Sequence, residues 1–541
     1  MDGKVRRIFR KERQEKGKAT DECAMDTTTR FKLPDGFNRA QIYAILAEHH
    51  AIPAEAPLTR SWTIYDTFDW RLFGESLTLQ RSGEDLVLRG LAGGETINRL
   101  QVASPPGFAW DLPEGVFRKQ LLSVIEERRL LELVTAHTWS STFRVLNKDE
   151  KTVARLLYVE VRPTVSGNSS PLASFLTLLP LRGYAGQARR LASCFQKHLA
   201  VASEGENVYF SAFQAAGQMP DTYSGKLQVR LKPKLRAGEA TRIILRRLLE
   251  IMRANETGIK ADIDIEFLHD YRIAVRKTRS ALSQIRRVFP EQTTDHYKRE
   301  FEALGKLTND LRDLDVYLLA EADYRSILPK AMQDDFAPLF DYLRSHRAEV
   351  LATVKAGLEA KTYARLLEEW EAFLHEPVTA EIAANASTPI IGLARRRIIR
   401  RYRCVVRNGT TILKQPADEL LHALRIECKK LRYLLEFFAD LFPPKKIARM
   451  IKQLKRLQDN LGEFTDLSVQ QGYLLSIAEG LGLDEPQGRR ALVATGFLVE
   501  TMARKQRAVK ADFGGIFTEF ASPAHQMQFQ QLFTKGTKGK S

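Results

Sequence analysis

The sequence predicts an α+β, multidomain protein, with an antiparallel β domain over residues 26–210 followed by an all-α domain. Three observations carry this. Between Thr27 and Phe210, short alternating apolar and polar runs are punctuated by turn signals, the pattern of antiparallel strands. From Gly238 onward, apolar residues recur at helical spacing. Within the helical part, one stretch occurs twice at a constant offset of 153 residues; a repeat constrains the architecture before any single element does.

The bulk properties narrow the class. At 541 residues the chain is long enough for two or three domains. It is 44% hydrophobic, enough for sizeable cores. Lys and Arg number 83 against 66 Asp and Glu, a net charge of +17, which favours an anionic partner: nucleic acid, membrane surface or polyphosphate. The four cysteines, Cys23, Cys194, Cys404 and Cys428, are scattered without a Cys-x-x-Cys pair, so neither a zinc ribbon nor a disulfide framework is signalled. No run of apolar residues is long enough for a membrane span. Met1 to Lys18 is basic without an apolar core, unlike a secretory signal. A cytoplasmic protein is expected.

Taken in order, residues 1–25 are charged and poor in apolar content, and are expected to be a disordered basic arm or a polyanion-binding tail. Strands are expected at Ser61–Ile64, Ser76–Gln80, Asp85–Arg89, Ser141–Leu146 and Ala154–Val161, separated by Ser82-Gly83, Gly93-Gly94 and Asn147-Lys148-Asp149. Helical interludes are expected at Arg39–Ala47, Phe117–Glu127 and Ala185–Leu199. Residues 211–235 read as a linker, and Leu227–Leu235 as a last strand or an extended lead-in. The helical domain is expected over 236–525, in two halves at 236–375 and 390–525, with a disordered tail at 526–541.

The repeated stretch runs from Phe267 to Pro290 and again from Leu420 to Pro443. It carries His269 onto His422, Arg272 onto Arg425, Arg276 onto Lys429, Arg279 onto Arg432, and later Asp313 onto Asp466. On a helix, His269, Arg272, Arg276 and Arg279 share one face, with Phe267, Tyr271, Val275 and Leu282 opposite. His422, Arg425, Lys429 and Arg432 repeat this against Leu424, Leu431 and Leu435. Tyr271 to Pro290 holds no acid. A solvated helix face interleaves both signs because like charges at i, i+4 repel. A doubled cationic face is better explained by a polyanion that neutralises it. Further cations follow at Arg395, Arg396, Arg397, Arg400, Arg401, Arg403 and Arg407, and in a stripe of Lys445, Arg449, Lys452 and Arg456.

The doubled pattern His-x-x-Arg-(Val/Ile)-x-x-(Arg/Lys)-(Arg/Lys)-x-Arg, each time followed by an Asp-Leu-x-Val segment, resembles the CHAD family across roughly Arg236 to Phe520. The resemblance implies two pseudo-symmetric four-helix bundles with a basic channel for inorganic polyphosphate, and a setting that includes polyphosphate granules. The residues expected to bind the polymer are His269, Arg272, Arg276, Lys277, Arg279, Lys306, His422, Arg425, Lys429, Lys430, Arg432, Lys452 and Arg456. No cofactor is required for that binding. A histidine is mostly uncharged at neutral pH, so for His269 and His422 a structural role and a phosphate contact both stay open. Arg312-Asp313-Leu314-Asp315 reads either as metal ligands or, with Asp466, as carboxylates that orient a neighbouring arginine.

Tyr65-Asp66-Thr67 with Leu72, then Leu77-Thr78-Leu79-Gln80-Arg81, and later Pro180-Leu181-Arg182-Gly183-Tyr184, resemble the CYTH or triphosphate-tunnel family. That resemblance implies an eight-stranded antiparallel barrel or tunnel, whose active members hydrolyse triphosphates with a divalent metal. The family opens on Glu-x-Glu-x-Lys; here Asp26-Thr27-Thr28-Thr29-Arg30 stands in its place. Hard divalent cations need several oxygen ligands, and only Asp26 remains to hold one. The expected reading is a degenerate tunnel that holds phosphate through Arg30, Arg81, Arg144 and Arg155. The alternative is a Mg²⁺- or Mn²⁺-dependent triphosphatase acting on a triphosphate. A third reading, nucleic-acid binding, lacks the aromatics that interleave with cations where bases stack.

Overall fold

The computed structural model describes residues 29–534, except 35, 38, 47–49, 54–55, 92–94, 164–172, 200–212, 214–216, 218–219, 221–222, 377–382 and 479–485. The expected arm at 1–25, and Asp26 with it, lies outside the described residues. The chain divides into two compact units, Met1–Ser224 and Gly225–Ser541.

The first unit is one antiparallel sheet. Its strands are β1 (Thr29–Leu33), β2 (His50–Pro53), β3 (Leu58–Asp66), β4 (Leu77–Ser82), β5 (Asp85–Gly90), β6 (Thr96–Gln101), β7 (Leu131–Leu146), β8 (Thr152–Pro163) and β9 (Ala173–Pro180). Eight of them pair in the order β1-β9-β8-β7-β3-β4-β5-β6, and β2 adds to β7. The helices α1 (Arg39–Ile45), α3 (Val116–Ile125) and α4 (Ala185–Leu199), together with the single turn α2 (Arg71–Gly74), occupy the connections. Period-two alternation does the packing. Phe31, Leu33, Phe143, Val145, Leu156, Tyr158, Leu176 and Leu178 form one core with Ile42 of α1 and Leu191 and Phe195 of α4. A second core joins Tyr65, Leu79, Leu86 and Leu88 to Phe117, Leu121 and Ile125 of α3.

Among the described residues, the second unit has helices and no strands. Its helices are α5 (Ala237–Lys260), α6 (Ile265–Gln284), α7 (Glu291–Leu307), α8 (Asn309–Leu319), α9 (Glu321–Ile327), α10 (Ala337–Glu359), α11 (Lys361–His375), α12 (Ile390–Lys414), α13 (Asp418–Phe437), α14 (Pro444–Ala478), α15 (Pro486–Phe520) and α16 (Pro523–Thr534). The two motif helices, α6 and α13, have 20 residues each. Asp264 caps α6, its carboxylate accepting from Glu266 N and Phe267 N. The apolar faces read from the sequence are the buried ones: Phe267, Tyr271, Val275 and Leu282 in α6, and Leu424, Leu431 and Leu435 in α13.

One open alternative is decided and one expectation is corrected. Leu227–Leu235 adopts no regular strand; Leu231 N instead donates to the Asp440 carboxylate, which satisfies the backbone without a ladder. Residues 526–534 are not a disordered tail but most of α16. Phe529 and Phe533, four apart on one helix face, are buried, and Phe529 stacks on Tyr402 of α12 at 3.8 Å.

Close helix approach is set by glycine at two points. A Cβ at Gly258 of α5 would land on the Phe267 ring, and one at Gly409 of α12 on the Phe517 ring. Gly409→Ala is therefore expected to destabilise the helical unit by about 1–3 kcal/mol, read as a lowered midpoint in thermal or urea unfolding, whereas Gly462→Ala, where a Cβ meets nothing, is expected to be neutral or stabilising.

Candidate functional site

The site is built on the polar faces of α6 and α13. Arg272 is half-buried and fixed by neutral acceptors: it donates to Gly305 O at 3.2 Å, Thr308 Oγ1 at 2.7 Å and Asn309 Oδ1 at 2.8 Å. These sit where α7 ends and α8 begins, so the break between the two helices supplies the acceptors. Burial and the nearby Arg276 hold the Arg272 guanidinium down at about 10, with Asp313 and Asp310 pulling the other way. Arg425, the matching residue of the second copy, donates instead to the Asp466 carboxylate at 2.8 Å. Asp466 thus orients an arginine, and Asp313 lies within electrostatic reach of Arg272, as one of the two sequence readings proposed.

The two motif copies meet. Lys429 of α13 lies within electrostatic reach of Arg276 of α6, its own counterpart in the repeat, as well as of Arg425. Burial and these two arginines depress the Lys429 ammonium to about 8, with Asp466 the counterweight. Asp313 and Asp466, the other matched pair, also feel one another, and burial raises the Asp313 carboxyl. Among the described residues, neither Arg276 nor Lys429 has a carboxylate within ion-pair distance. Arg272, Arg276, Arg425 and Lys429 therefore form one positive cluster drawn from both copies.

Several other residues expected to bind are engaged elsewhere. Lys277 is buried and bonded to Glu436 of α13 at 2.9 Å, and Arg432 shares that carboxylate at 2.7 Å. Lys430 pairs with Glu427 at 2.9 Å, and Arg401 reaches the same acid. Arg279 and Lys306 both approach Glu302, at 3.6 and 3.4 Å, and Arg456 pairs with Glu519 at 2.5 Å. The cationic faces are thus partly neutralised, by acids on the same helix for Lys306, Lys430 and Arg432 and by acids on another helix for Lys277, Arg279 and Arg456. Lys452 and His422 are exposed, and His269 is half-buried. Sequence reasoning passed over Glu427 and Glu436, although both lie inside the second copy of the motif.

In the first unit, the expected phosphate residues divide between two faces of the sheet. Arg144 and Arg155 pair directly across β7 and β8, so these two exposed cations stand side by side. Arg30 pairs with Thr177, Thr177 with Leu157, and Leu157 with Thr142, which places Arg30 on the same face; its guanidinium lies 4.6 Å from the Phe175 ring centroid. Arg81 pairs with Thr63, and Thr63 with Thr135. Residue 135 is nine positions from Arg144 along a regular stretch of β7, so Arg81 faces the other way. There it donates to Ala103 O at 3.1 Å and sits near Tyr65, whose hydroxyl donates to Glu132 at 2.9 Å. Asp66 and Leu72 of the tunnel-like motif are buried. The Asp66 carboxylate accepts from Thr67 N, Leu72 N and Phe73 N, and burial pushes it up to about 6. Its part is to hold the α2 turn. Among the described residues, no three His, Cys, Asp or Glu side chains gather as a metal site.

The buried pair Lys277–Glu436 ties the two copies together. Replacing Lys277 with Met leaves Glu436 to Arg432 alone, while Glu436→Ala strands Lys277. The second change is expected to cost about 3–5 kcal/mol, and the double change Lys277→Met with Glu436→Leu far less; urea unfolding of the three variants checks the order.

Comparison with known proteins agrees with the helical architecture. The family model described as CHAD domain matches residues 243–475. Among solved structures, the chain is similar to the CHAD domain from the plant Ricinus communis, at 24% identity over 54% of this chain and 95% of that one, with a TM-score of 0.45. It is also similar to PptA from Streptomyces chartreusis, at 14% identity over 53% and 100%, with a TM-score of 0.41. A putative adenylyl cyclase from Hippeastrum, HpAC1, described as having a dominant triphosphatase activity, matches at 11% identity over 36% and 96%, with a TM-score of 0.25. None of the curated proteins compared matches this chain. Residues 243–475 of this protein are a CHAD domain.

Proposed function

We propose that this protein binds inorganic polyphosphate through the Arg272, Arg276, Arg425 and Lys429 cluster of its helical unit. The observation that carries the reading is the pairing of Arg276 with Lys429. Two cations from different helices, the half-buried Lys429 and the exposed Arg276, are held within electrostatic reach, and among the described residues neither has a carboxylate within ion-pair distance. Such an arrangement is destabilising until an anion enters. A phosphate chain presents one negative charge after another, so a single polymer satisfies all four cations. Arginine offers forked donors to phosphoryl oxygens and lysine a point charge. The family resemblance implies the same ligand.

The first unit reads as a degenerate triphosphate tunnel that holds phosphate. Arg144 and Arg155, side by side on paired strands, support an anion on that face. The separation of Arg81 from them by a sheet face argues against one converged hydrolytic site. Hydrolysis is the second reading: phosphate released from tripolyphosphate with Mg²⁺ or Mn²⁺, and abolished by Arg81→Ala, would establish it. No release with either metal is the outcome expected here.

Titration of long-chain polyphosphate tests the leading reading. Changing Arg276 and Lys429 together to Gln is expected to weaken binding at least about a hundredfold, from two charge-assisted contacts at roughly 1.5–3 kcal/mol each. Unchanged affinity would refute the siting. Competition separates this ligand from nucleic acid: polyphosphate is expected to displace RNA or DNA, and not the reverse.

A pH dependence follows from Lys429. Its free-state value of about 8 lies below the ordinary 10.5, and a bound phosphate chain restores the charged form, so binding takes up a proton above pH 8. Affinity is expected to fall by about tenfold or more between pH 7.5 and 9.5. Lys429→Arg, charged throughout, is expected to abolish that slope; an equal slope in both proteins would contradict it.

A further inference from the structure

A second set of cations stands without acids elsewhere in the helical unit. The turn after α6 carries Arg286 and Arg287, both exposed. Asn385 clamps this turn: its backbone N–H donates to Arg287 O at 2.8 Å and its side-chain amide to Arg286 O at 2.9 Å. Arg287 is held at a φ of 60°, a left-handed conformation that a non-glycine residue keeps only under such restraint. Asn385 O in turn accepts from Thr388, directly before α12. The clamp therefore fixes the two arginines against the start of the helix that bears Arg395, Arg396, Arg397 and Arg400.

The charges confirm the juxtaposition. Arg286, Arg287, Arg396 and Arg400 all bear on Arg397, and together with burial they lower its guanidinium; no carboxylate opposes them. The Arg397 Nε is buried without a hydrogen-bond partner. Arg242, which matches Arg397 because the repeat ahead of the motif runs at an offset of 155 (Arg242-Ile243-Ile244 against Arg397-Ile398-Ile399), is treated differently. It lies over the rings of Phe289 and Phe373, donates to Phe373 O, and has Glu376 as an opposing charge. The positions matching Arg286 and Arg287 in the second half are Ala439 and Asp440. The cluster is thus specific to one half, and the packing that neutralises its counterpart is missing from it.

We propose that Arg286, Arg287, Arg396, Arg397 and Arg400 form a second phosphoanion site, separate from the Arg276–Lys429 cluster, that takes a phosphoryl group of an inorganic oligophosphate. Arginine alone, with its planar fork, suits phosphoryl oxygens better than a single point charge does. The inference deepens the polyphosphate reading by adding a contact beyond the centre. Arg276 lies inside α6 and Arg286 in the turn beyond its end, ten residues on.

Calorimetric titration of the full chain with tripolyphosphate is the test. Two binding events are expected in the native protein. Arg286→Gln with Arg287→Gln, both in an exposed turn, is expected to remove one and leave the other; Arg397→Gln is expected to weaken the same event at least tenfold. Lys429→Gln is expected to weaken the other event alone. A single event in the native protein that Lys429→Gln removes and the arginine variants leave intact overturns the second site and keeps the central one. A single event in the native protein that the arginine variants remove and Lys429→Gln leaves intact keeps this site and sinks the central reading.

Discussion

Repulsion between Arg276 and Lys429 is the constraint on which the helical unit depends. Two helices from matched halves of the sequence bring like charges within electrostatic reach, with Asp466 as the counterweight on Lys429 and, among the described residues, no carboxylate within ion-pair distance of either. A fold that only had to be stable would put a carboxylate there. It has the means: Glu436 lies two turns further along α13 and bonds Lys277 of α6 across the same meeting of the copies.

The acids are instead spent on the flanks. Glu436 collects Lys277 and Arg432, Glu427 collects Lys430 and Arg401, and Glu302 collects Arg279 and Lys306. Arg347 joins the buried Asp315 to Asp262, bracing α10 against α8. Of these, Lys277–Glu436, Arg401–Glu427, Arg279–Glu302 and the Arg347 pair with Asp315 tie one helix to another. Arg272 is held by three neutral oxygens and so keeps its full charge for a ligand. Asp466 holds Arg425 from one side and leaves the rest of the guanidinium for an anion.

How much of this was legible in the sequence follows from which forces act locally. The faces of α6 and α13 are set by periodicity and by the Asp264 cap, both readable within twenty residues. The offset of 153 placed Arg276 against Lys429 in sequence; that they also meet in space depends on helix packing, which the sequence pattern does not state. Glu436 was invisible as a partner of Lys277 because the pair joins two different helices. In the β unit, β6 was missed because its residues are mostly exposed and polar, and β1 and β9 because their apolar runs border irregular sequence. The faces of Arg81 and Arg144 required the register of three strands, which no local pattern states.

The most direct measurement is diffraction from crystals of the full chain grown with tripolyphosphate. The account predicts phosphoryl density bridging the two copies, with oxygens about 3 Å from both the Arg276 guanidinium and the Lys429 ammonium. Bound phosphate elsewhere, with Arg276 and Lys429 still facing each other and untouched by it, would contradict the account.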